Sequence, residues 1–519
     1  MLTRFKVTGF KNLVDVDLRF GPFTCIAGSN GVGKSNLFDA LRFLNALSRV
    51  PLLEAAKEVR GGKTADVRGL FHRVGDTYDN MMSFEAEMIV PRSGKDDLGQ
   101  EAEASMTFLR YKLTLGYRPG DGGLEIQHEE LVHINKGDAN RNILFPYTYE
   151  WLESAVVGRR TSPFISTIEE EPGNKIIYLH QDRGEKGSGK PAPRRANSLP
   201  RTVLQGANAA ENRTAVIARR EMQSWRLIQL EPSALREPDE FNAPSRLSEH
   251  GSHLPAMLFR LAQSDEARTY AAVANRLSEL IADIRAVGVD RDEKLERLTL
   301  WAQADDGTPH AARSLSEGTL RFLALTVLEQ DPDAQGVLCL EEPENGIHPA
   351  RIPAMIRLLT DIAVDTDHAV GRDNPLRQVI INTHSPAVVG EVNSADLVGA
   401  ELLEQVKAGQ RFKSVVFQPL PGTWRASGIA ERDLMPKNRL LEYLSLFEKE
   451  PQTGGANEPS GDEATNSTSA ANEHSRANGH SKQPRIARQN TRIKGSQRVV
   501  DRSDIQLLLF GGSQIEGDQ

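Results

Sequence analysis

The sequence has little of what a secreted or membrane-spanning protein needs. Only two cysteines occur, Cys25 and Cys339, and each lies in a short apolar run that predicts a buried strand. No run of about 18 apolar residues is present to form a spanning helix. Residues 1–12 alternate polar and apolar side chains, where a signal peptide would have an apolar core. The composition therefore predicts a cytoplasmic protein with no membrane partner.

An excess of positive charge is also missing. The 519 residues include 63 lysines and arginines against 71 aspartates and glutamates, a net charge of -8. This balance argues against a surface covered with phosphate-binding side chains, although a local basic stripe can coexist with it. Charge alone thus leaves DNA binding open. Hydrophobic residues make up 39% of the chain, enough for a packed core, and the length allows about three domains or one large fold with insertions.

Two kinds of pattern predict two kinds of sheet. Polar and apolar residues alternate over residues 14–20 and in several stretches between residues 81 and 134, which predicts a β-rich antiparallel lobe. After residue 301, the apolar runs 337–340 and 379–382 predict buried strands and residues 352–362 predict a helix between them, an alternation that indicates a parallel sheet. The apolar stripe from Tyr270 to Ile284 covers only a few helical turns and is too short for a long coiled-coil arm. The expected fold class is α/β, with a mixed or parallel sheet and a short helical insertion.

Composition also predicts the less ordered parts. Residues 183–201 are rich in Gly, Pro, Lys and Arg and predict a solvent loop. Residues 451–483 have almost no apolar content, which predicts a disordered segment. A basic stretch from Lys482 to Arg498 follows, and then a short apolar patch, residues 507–510, that we expect to dock on another surface.

A glycine-rich turn joins the predicted strand 23–27 to a helix. Residues 28–35 match G-x-x-x-x-G-K-[ST] in the strand–turn–helix context that this phosphate-binding pattern requires. Lys34 would reach the β- and γ-phosphates of ATP, and Ser35 would bind Mg²⁺. The predicted nucleotide-binding residues of this turn are Asn30, Gly31, Val32, Gly33, Lys34, Ser35 and Asn36.

Two carboxylates end the predicted strand 337–340, at the sheet edge where ligands of parallel sheets bind. We expect Glu341 to hold the Mg²⁺ and Glu342 to orient and deprotonate the attacking water. Upstream, Ser316 precedes a predicted helix and is a candidate N-cap. The free N–H groups of such a helix start could also bind a phosphate.

Five motifs in order resemble the motif series of ABC-type ATPases. They are residues 28–35, 315–319, 338–342, 345–348 and 383–385. The opening Phe5-Lys6-Val7-Thr8-Gly9-Phe10-Lys11-Asn12 and the segment Gly33-Lys34-Ser35-Asn36-Leu37 are similar to the RecF/SMC branch, and specifically to its compact AAA-type members. The resemblance covers about residues 1–115 and 295–420, and it implies a P-loop ABC-type ATPase head.

The resemblance also implies roles for single residues. Ser316 and Gly318 would contact the γ-phosphate of ATP held by a second copy of the chain, in a head-to-tail dimer. His384 would sense the γ-phosphate as the switch histidine, beside the catalytic residues Lys34 and Glu342. Two departures from the family pattern stand out. Glu341 occupies a position where the family usually has aspartate, and no Q-loop glutamine can be assigned around residues 81–84.

These patterns divide the chain into five expected parts. Residues 1–150 form an N-terminal ATPase lobe, 151–294 a helical and loop insertion, and 295–425 a C-terminal ATPase lobe. Residues 426–450 form a helical extension, and 451–519 a mostly disordered tail with the basic stretch.

Three functions remain open from the sequence. The first is an ATPase switch in DNA repair or antiphage defence that licenses a separate effector such as a nuclease, because the chain has no nuclease signature of its own. The second is a RecF-like DNA-binding repair ATPase, and the third is a nucleotide-bound scaffold with negligible turnover. Candidate DNA contacts are Arg159, Arg160, Arg194, Arg195, Arg201, Arg219, Arg220 and the basic tail. Aromatic residues that would stack on bases are not interleaved with them, which favours an ordinary solvated surface.

Overall fold

A computed structural model gives the fold of the chain. It describes residues 1–59, 66–120, 122–182, 192–281, 284–407, 409–448 and 497–510. The predicted disordered segment and most of the basic stretch lie outside the described residues.

The strands, in chain order, are β1 (Leu2–Phe10), β2 (Leu13–Arg19), β3 (Phe23–Ala27), β4 (Arg73–Val74), β5 (Thr77–Tyr78), β6 (Met81–Ile89), β7 (Ser93–Lys95), β8 (Glu101–Glu103), β9 (Phe108–Arg118), β10 (Gly123–His133), β11 (Ile165–Glu171), β12 (Asn174–Leu179), β13 (Ala192–Arg195), β14 (Arg226–Ile228), β15 (Asp239–Glu240), β16 (Ile284–Asp292), β17 (Arg297–Ala304), β18 (Pro309–Ala311), β19 (Gly336–Glu341), β20 (Arg377–Thr383), β21 (Leu397–Lys407) and β22 (Gln410–Pro419).

The α-helices are α1 (Lys34–Leu47), α2 (Leu52–Glu58), α3 (Ala139–Asn142), α4 (Tyr149–Ala155), α5 (Arg213–Ser224), α6 (Pro232–Leu235), α7 (Leu254–Ala262), α8 (Glu266–Leu280), α9 (Glu317–Gln330), α10 (Ile352–Ile362), α11 (Pro386–Glu391), α12 (Lys437–Glu448) and α13 (Ser503–Phe510).

A six-stranded sheet carries the predicted nucleotide motifs. Its order is β14-β19-β20-β3-β21-β22, and all neighbours are parallel except the last hairpin. Its central strands β3, β19 and β20 are buried on both faces. Cys339 belongs to one hydrophobic core, whereas its neighbours Leu338 and Leu340 belong to the other. Burial on both faces is the expected condition of a parallel sheet and explains why its strands read as continuous apolar runs.

The predicted antiparallel lobe is an eight-stranded sheet with the order β13-β12-β11-β10-β9-β6-β1-β2. It packs against α1 through a cluster of three phenylalanines. The ring centroids of Phe10 and Phe43 lie 6.0 Å apart, and each of these rings meets the edge of Phe84. This contact fixes the first helix of the nucleotide site between the two sheets. The mixed α/β architecture agrees with the predicted fold class.

The segment 151–294 differs from its expected helical and loop structure. It also contributes β11, β12 and β13 to the eight-stranded sheet, and β14 to the six-stranded sheet. Only Ile165 is buried among the residues of β11, so this strand shows no alternation in its sequence. The stretch 192–195 was predicted as loop but forms the edge strand β13, where one side faces water and a proline is tolerated. The longest helix in the described part of the chain is α8, with 15 residues.

Candidate nucleotide-binding site

The glycine-rich turn lies between β3 and α1, as the motif predicts. Gly31 and Gly33 both have positive φ values, 80° and 112°. A Cβ atom on Gly31 would meet no other atom within 4 Å, whereas one on Gly33 would lie 2.3 Å from Asn12 Nδ2. Glycine is therefore required at residue 33 both for its backbone conformation and for space. Asn12 holds the turn by donating from Nδ2 to Val32 O over 3.1 Å, and by accepting from Asn36 Nδ2 over 2.8 Å.

Lys34 is the first residue of α1, and its side chain is buried over the turn. Its Nζ donates to the carbonyl oxygens of Gly28 and Ser29, the latter over 3.0 Å. Burial lowers the pKa of Lys34, and the carboxylates of Glu342 and Glu344 oppose this shift. The ammonium group therefore lies among groups that favour its charge and within reach of a phosphate in the turn.

Glu341 ends β19 and accepts a hydrogen bond from Gln229 Nε2. Gln229 follows β14, which is the parallel neighbour of β19. No Q-loop glutamine could be assigned from the sequence around residues 81–84, and Gln229 was not among the expected site residues. A usable signal was present, because residues 225–228 form a short, mostly apolar run that is followed directly by the polar Gln229, just as an apolar run precedes Glu341.

Glu342 has the left-handed φ of 45°, an uncommon conformation for a residue with a side chain. Its N–H donates to both the backbone oxygen and Oδ1 of Asn382, over 3.1 and 3.0 Å. Its carboxylate is held at both oxygens. Oε1 lies 2.8 Å from His384 Nδ1, and Oε2 accepts from Asn345 Nδ2 over 2.9 Å. The structure thus fixes this carboxylate in a single orientation.

A second carboxylate, that of Glu344, lies close enough to Glu342 to interact with it electrostatically. Glu344 is buried, and its Oε1 accepts a hydrogen bond from Thr383 Oγ1, which itself accepts from the N–H of Ser385. Burial raises the pKa of Glu344, and the hydrogen bond from Thr383 opposes this shift. These contacts tie the loop after β19 to the loop after β20, where His384 is located.

These elements enclose a cavity of about 510 Å³, a size typical of small-molecule sites. Its lining includes most residues singled out from the sequence: Asn30, Gly31, Gly33, Lys34, Ser35, Asn36, Glu341 and Glu342. His384 contacts the cavity through Glu342, and Val32 is buried in the turn. Gln229, Glu231 and Arg321 also line it and were not anticipated.

Ser316 and Gly318 do not line this cavity. Ser316 is the N-cap of α9, and its Oγ accepts from Thr319 N over 3.1 Å. A Cβ on Gly318 would lie 3.4 Å from Gly346 O. The resemblance assigned both residues to the ATP of a second subunit, and their separation from the cavity of their own chain is compatible with that assignment.

The residues present fit an anionic nucleotide. No acidic residue occupies the first turn of α1 and no side chain caps it, so its N-terminal dipole and N–H groups face the turn. A hydroxyl from Ser35 and a carboxylate from Glu341 lie on the same cavity, and hard oxygen donors of this kind suit Mg²⁺.

Several candidate DNA contacts are engaged within the chain. Arg160 pairs with Asp182 at 3.0 Å, and Arg219 and Arg220 both pair with Asp97 at 2.9 Å. Arg498, the last residue of the basic stretch, pairs with Glu391 and Asp501. Such pairing reduces the positive charge available to a phosphate backbone. In the described ranges, no helix combines the length and apolar character needed to cross a membrane.

The fold and the cavity define a P-loop nucleotide-binding protein. The profile of the family described as "AAA domain, putative AbiEii toxin, Type IV TA system" matches residues 23–93 and 163–390, more than half of the sequence. The chain belongs to this family. The predicted resemblance to compact AAA-type ATPases is therefore confirmed.

Other similarities are more limited. The DNA replication and repair protein RecF from two strains of Porphyromonas gingivalis is 31% identical over 86 residues, which cover 16% of this chain and 24% of RecF. The chain thus matches about a quarter of the length of these relatives. Among solved structures, an SMC head bound to the C-winged helix domain of ScpA has a TM-score of 0.43 at 13% identity, covering 81% of this chain and 98% of that one. The SMC head domain from Thermotoga maritima has a TM-score of 0.35 with the same identity and coverage.

Proposed function

We propose that the protein binds and hydrolyses ATP as a dimeric switch. The observation that carries this proposal is the carboxylate of Glu342, held by His384 and Asn345 at the edge of a cavity that also contains the phosphate-binding turn. A group fixed in this way can accept a proton from a water molecule aligned with the γ-phosphate, which is the task of a general base in phosphoryl transfer.

The other residues of the site would bind the phosphates, hold Mg²⁺ and orient Glu342. The N–H groups of the turn and Lys34 bind and neutralise the phosphates. Gln229 holds Glu341, and Ser35 and Glu341 are the residues that would hold Mg²⁺. The metal would neutralise charge that develops on the phosphate oxygens. His384 keeps the carboxylate of Glu342 turned toward the cavity.

The switch requires a second copy of the chain. Ser316 and Gly318 carry the motif expected to contact the γ-phosphate, but they lie outside the cavity of their own chain. A head-to-tail dimer would bring each α9 N-terminus, with its positive dipole end, to the nucleotide of the other copy. ATP would then hold the dimer closed, and hydrolysis would release it.

Downstream of the switch we propose a separate effector, such as a nuclease, in antiphage defence or DNA repair. The family description, which names a toxin and a toxin–antitoxin system, supports a defence role. The likeness to RecF over a short stretch supports a role in DNA repair.

The primary test is ATP hydrolysis by the wild type and by Glu342→Gln, with the mass of each protein measured in saturating ATP and magnesium. We expect turnover in the wild type and a loss of about 100-fold or more in the variant, which accumulates as an ATP-bound dimer. Absence of turnover in the wild type, with or without DNA, together with unchanged assembly of the variant, would favour the nucleotide-bound scaffold.

Direct DNA binding is a second candidate function, supported by the short likeness to RecF. It is tested by the affinity for duplex DNA at several salt concentrations, in the full chain and in a chain lacking residues 482–496. Strong salt dependence that disappears with the deletion supports contacts from the basic stretch. Arg201→Ala is the control variant, because it removes one candidate arginine outside the basic stretch and leaves the stretch intact. Affinity that is absent or independent of salt favours the effector hypothesis.

A further inference from the structure

An arginine on the cavity wall, Arg321, lacks a bonded counter-charge among the residues that the structure describes. Arg321 lies in α9, its side chain is buried, and the residue is only 9% exposed. Its Nε makes no hydrogen bond. No ion pair of Arg321 occurs within the ranges that the structure describes. The residue lines the same cavity as Lys34, Glu341 and Glu342.

The environment of Arg321 does not compensate for its burial. Burial lowers the pKa of Arg321, and the nearby carboxylates of Glu317 and Glu344 only oppose that shift. Its Nε lies 4.0 Å from the position that a Cβ on Gly346 would take, in the loop after β19. Because an arginine stays protonated in proteins, a cation is held here without a bonded counter-charge.

A second buried arginine shows the usual arrangement. Arg377 is 3% exposed, and its guanidinium donates to the backbone oxygens of Leu328, Glu329 and Asp331 at the end of α9. Arg377 thus stabilises the fold through several hydrogen bonds. Arg321 lies in the same helix that Arg377 anchors, but it makes none of these contacts.

We propose that Arg321 binds the terminal phosphate of ATP in the site of its own chain and thereby links that nucleotide to α9. This inference rests on the proposed ATPase function. An anion in the cavity supplies the counter-charge that the fold omits, and the guanidinium can donate two parallel hydrogen bonds to phosphate oxygens.

The position of Arg321 in α9 would connect the nucleotide site of one chain to that of the second copy. Ser316 caps the same helix five residues earlier, a rise of about 7.5 Å along the axis. One rigid helix would then touch the nucleotide of its own chain through Arg321 and that of the second copy through its N-terminus. Occupation of one site would position the helix that completes the other, so ATP binding should be cooperative.

The test compares Arg321→Met, Arg321→Lys and the control Arg377→Met in the full chain. Two properties are measured: the affinity for ADP and for the non-hydrolysable analogue AMP-PNP with magnesium, and the melting temperature without nucleotide. For Arg321→Met we expect an affinity for AMP-PNP about 10- to 100-fold lower, the loss of one charge-assisted contact, and little change for ADP. The Lys variant should recover part of this loss, and the Hill coefficient for AMP-PNP should fall toward one in Arg321→Met.

The melting temperature separates a binding role from a structural role. Removal of an unpartnered buried cation should leave the melting temperature of nucleotide-free Arg321→Met unchanged or raise it, whereas Arg377→Met should lower it. The inference is overturned if Arg321→Met keeps the wild-type preference for AMP-PNP over ADP, or if it melts as early as Arg377→Met. A wild type that binds neither nucleotide would instead refute the proposed function.

Discussion

His384 Nδ1 lies 2.8 Å from Glu342 Oε1, and this contact joins the loops that follow two neighbouring parallel strands. The histidine approaches from the end of β20 and the carboxylate from the end of β19. Any movement of one loop relative to the other therefore changes the direction in which the carboxylate of Glu342 points.

His384→Ala should lower kcat for ATP hydrolysis by about 10- to 100-fold, with a smaller change in KM. Glu342 would keep its hydrogen bond from Asn345 but lose the contact that fixes its second oxygen. Steady-state kinetics measure the effect. His368→Ala is a matched control, because His368 also pairs with a carboxylate, that of Asp365 at 2.7 Å, but lies outside the nucleotide cavity. Equal kinetics for His384→Ala and wild type would contradict the assigned role.

Gly33→Ala should abolish nucleotide binding, whereas Gly31→Ala should weaken it less. Both substitutions place a side chain at a positive φ, which costs about 1–2 kcal/mol. Only at residue 33 does the new Cβ also collide with Asn12. Isothermal titration with ATP and magnesium compares the two variants. The reverse order of affinities would show that Asn12 does not hold the turn as described.

Glu129 should make the protein less stable as pH rises toward neutrality. Its side chain is fully buried and accepts hydrogen bonds from Tyr111 Oη and from the N–H groups of Val203 and Leu204. Burial raises the pKa of Glu129 from 4.5 to about 7. Between pH 4.5 and 7 Glu129 is therefore protonated more fully in the folded state than in the unfolded state. This difference contributes about 3 kcal/mol to the free energy of unfolding below pH 4.5, and the contribution is lost as pH rises through 7.

Denaturant unfolding between pH 5 and 8 tests this dependence. Glu129→Gln should flatten the fall in stability over that range, because the titrating group is gone. Glu130→Gln is the neighbouring control. The pKa of Glu130 is lowered by the nearby His128, whose Nε2 lies 4.0 Å from Glu130 Oε2, so removing this carboxylate should not flatten the curve. A slope that stays the same in Glu129→Gln would refute the prediction.

The segment at residues 497–506 should depend on Val499 for its attachment. Val499 is fully buried, and its N–H donates to Val392 O over 3.1 Å, directly after α11. Val499→Ala should cost about 1.5 kcal/mol of burial energy and expose the segment to proteases. Arg498→Ala should change stability by less than about 0.5 kcal/mol, because the arginine side chain in its ion pair with Glu391 is half exposed to solvent. Limited proteolysis followed by mass measurement distinguishes the two variants.

The parts of the fold that the sequence predicted well are those with buried parallel strands. The strands around Leu338 and Ile380, the helix 352–362 and the turn before Lys34 all lie where their patterns indicated. In these elements burial on both faces forces a continuous apolar run, and the phosphate-binding turn permits few alternative residues.

Edge strands and long-range contacts were harder to predict. The polar strand β13 contains Pro193 and two arginines, because an edge strand has one side in water. The apolar run before Gln229 marks the end of a strand, but Glu341 lies about 110 residues away, and no local pattern indicates that these two residues pair. Arg321 likewise reads as an ordinary helix residue, since only tertiary packing places it on the cavity.

The order of strands in the six-stranded sheet limits when the protein can acquire its site during synthesis. β3, which ends at the phosphate-binding turn, is flanked by β20 and β21. A ribosome that has completed the turn at residue 35 must therefore add about 340 residues before β20, the first of these neighbours, begins at residue 377. Until residues 377–407 emerge, the nascent chain carries the whole phosphate-binding motif but lacks the sheet that shapes it. Premature termination in that interval would leave a long product that retains the motif without the fold required to bind nucleotide.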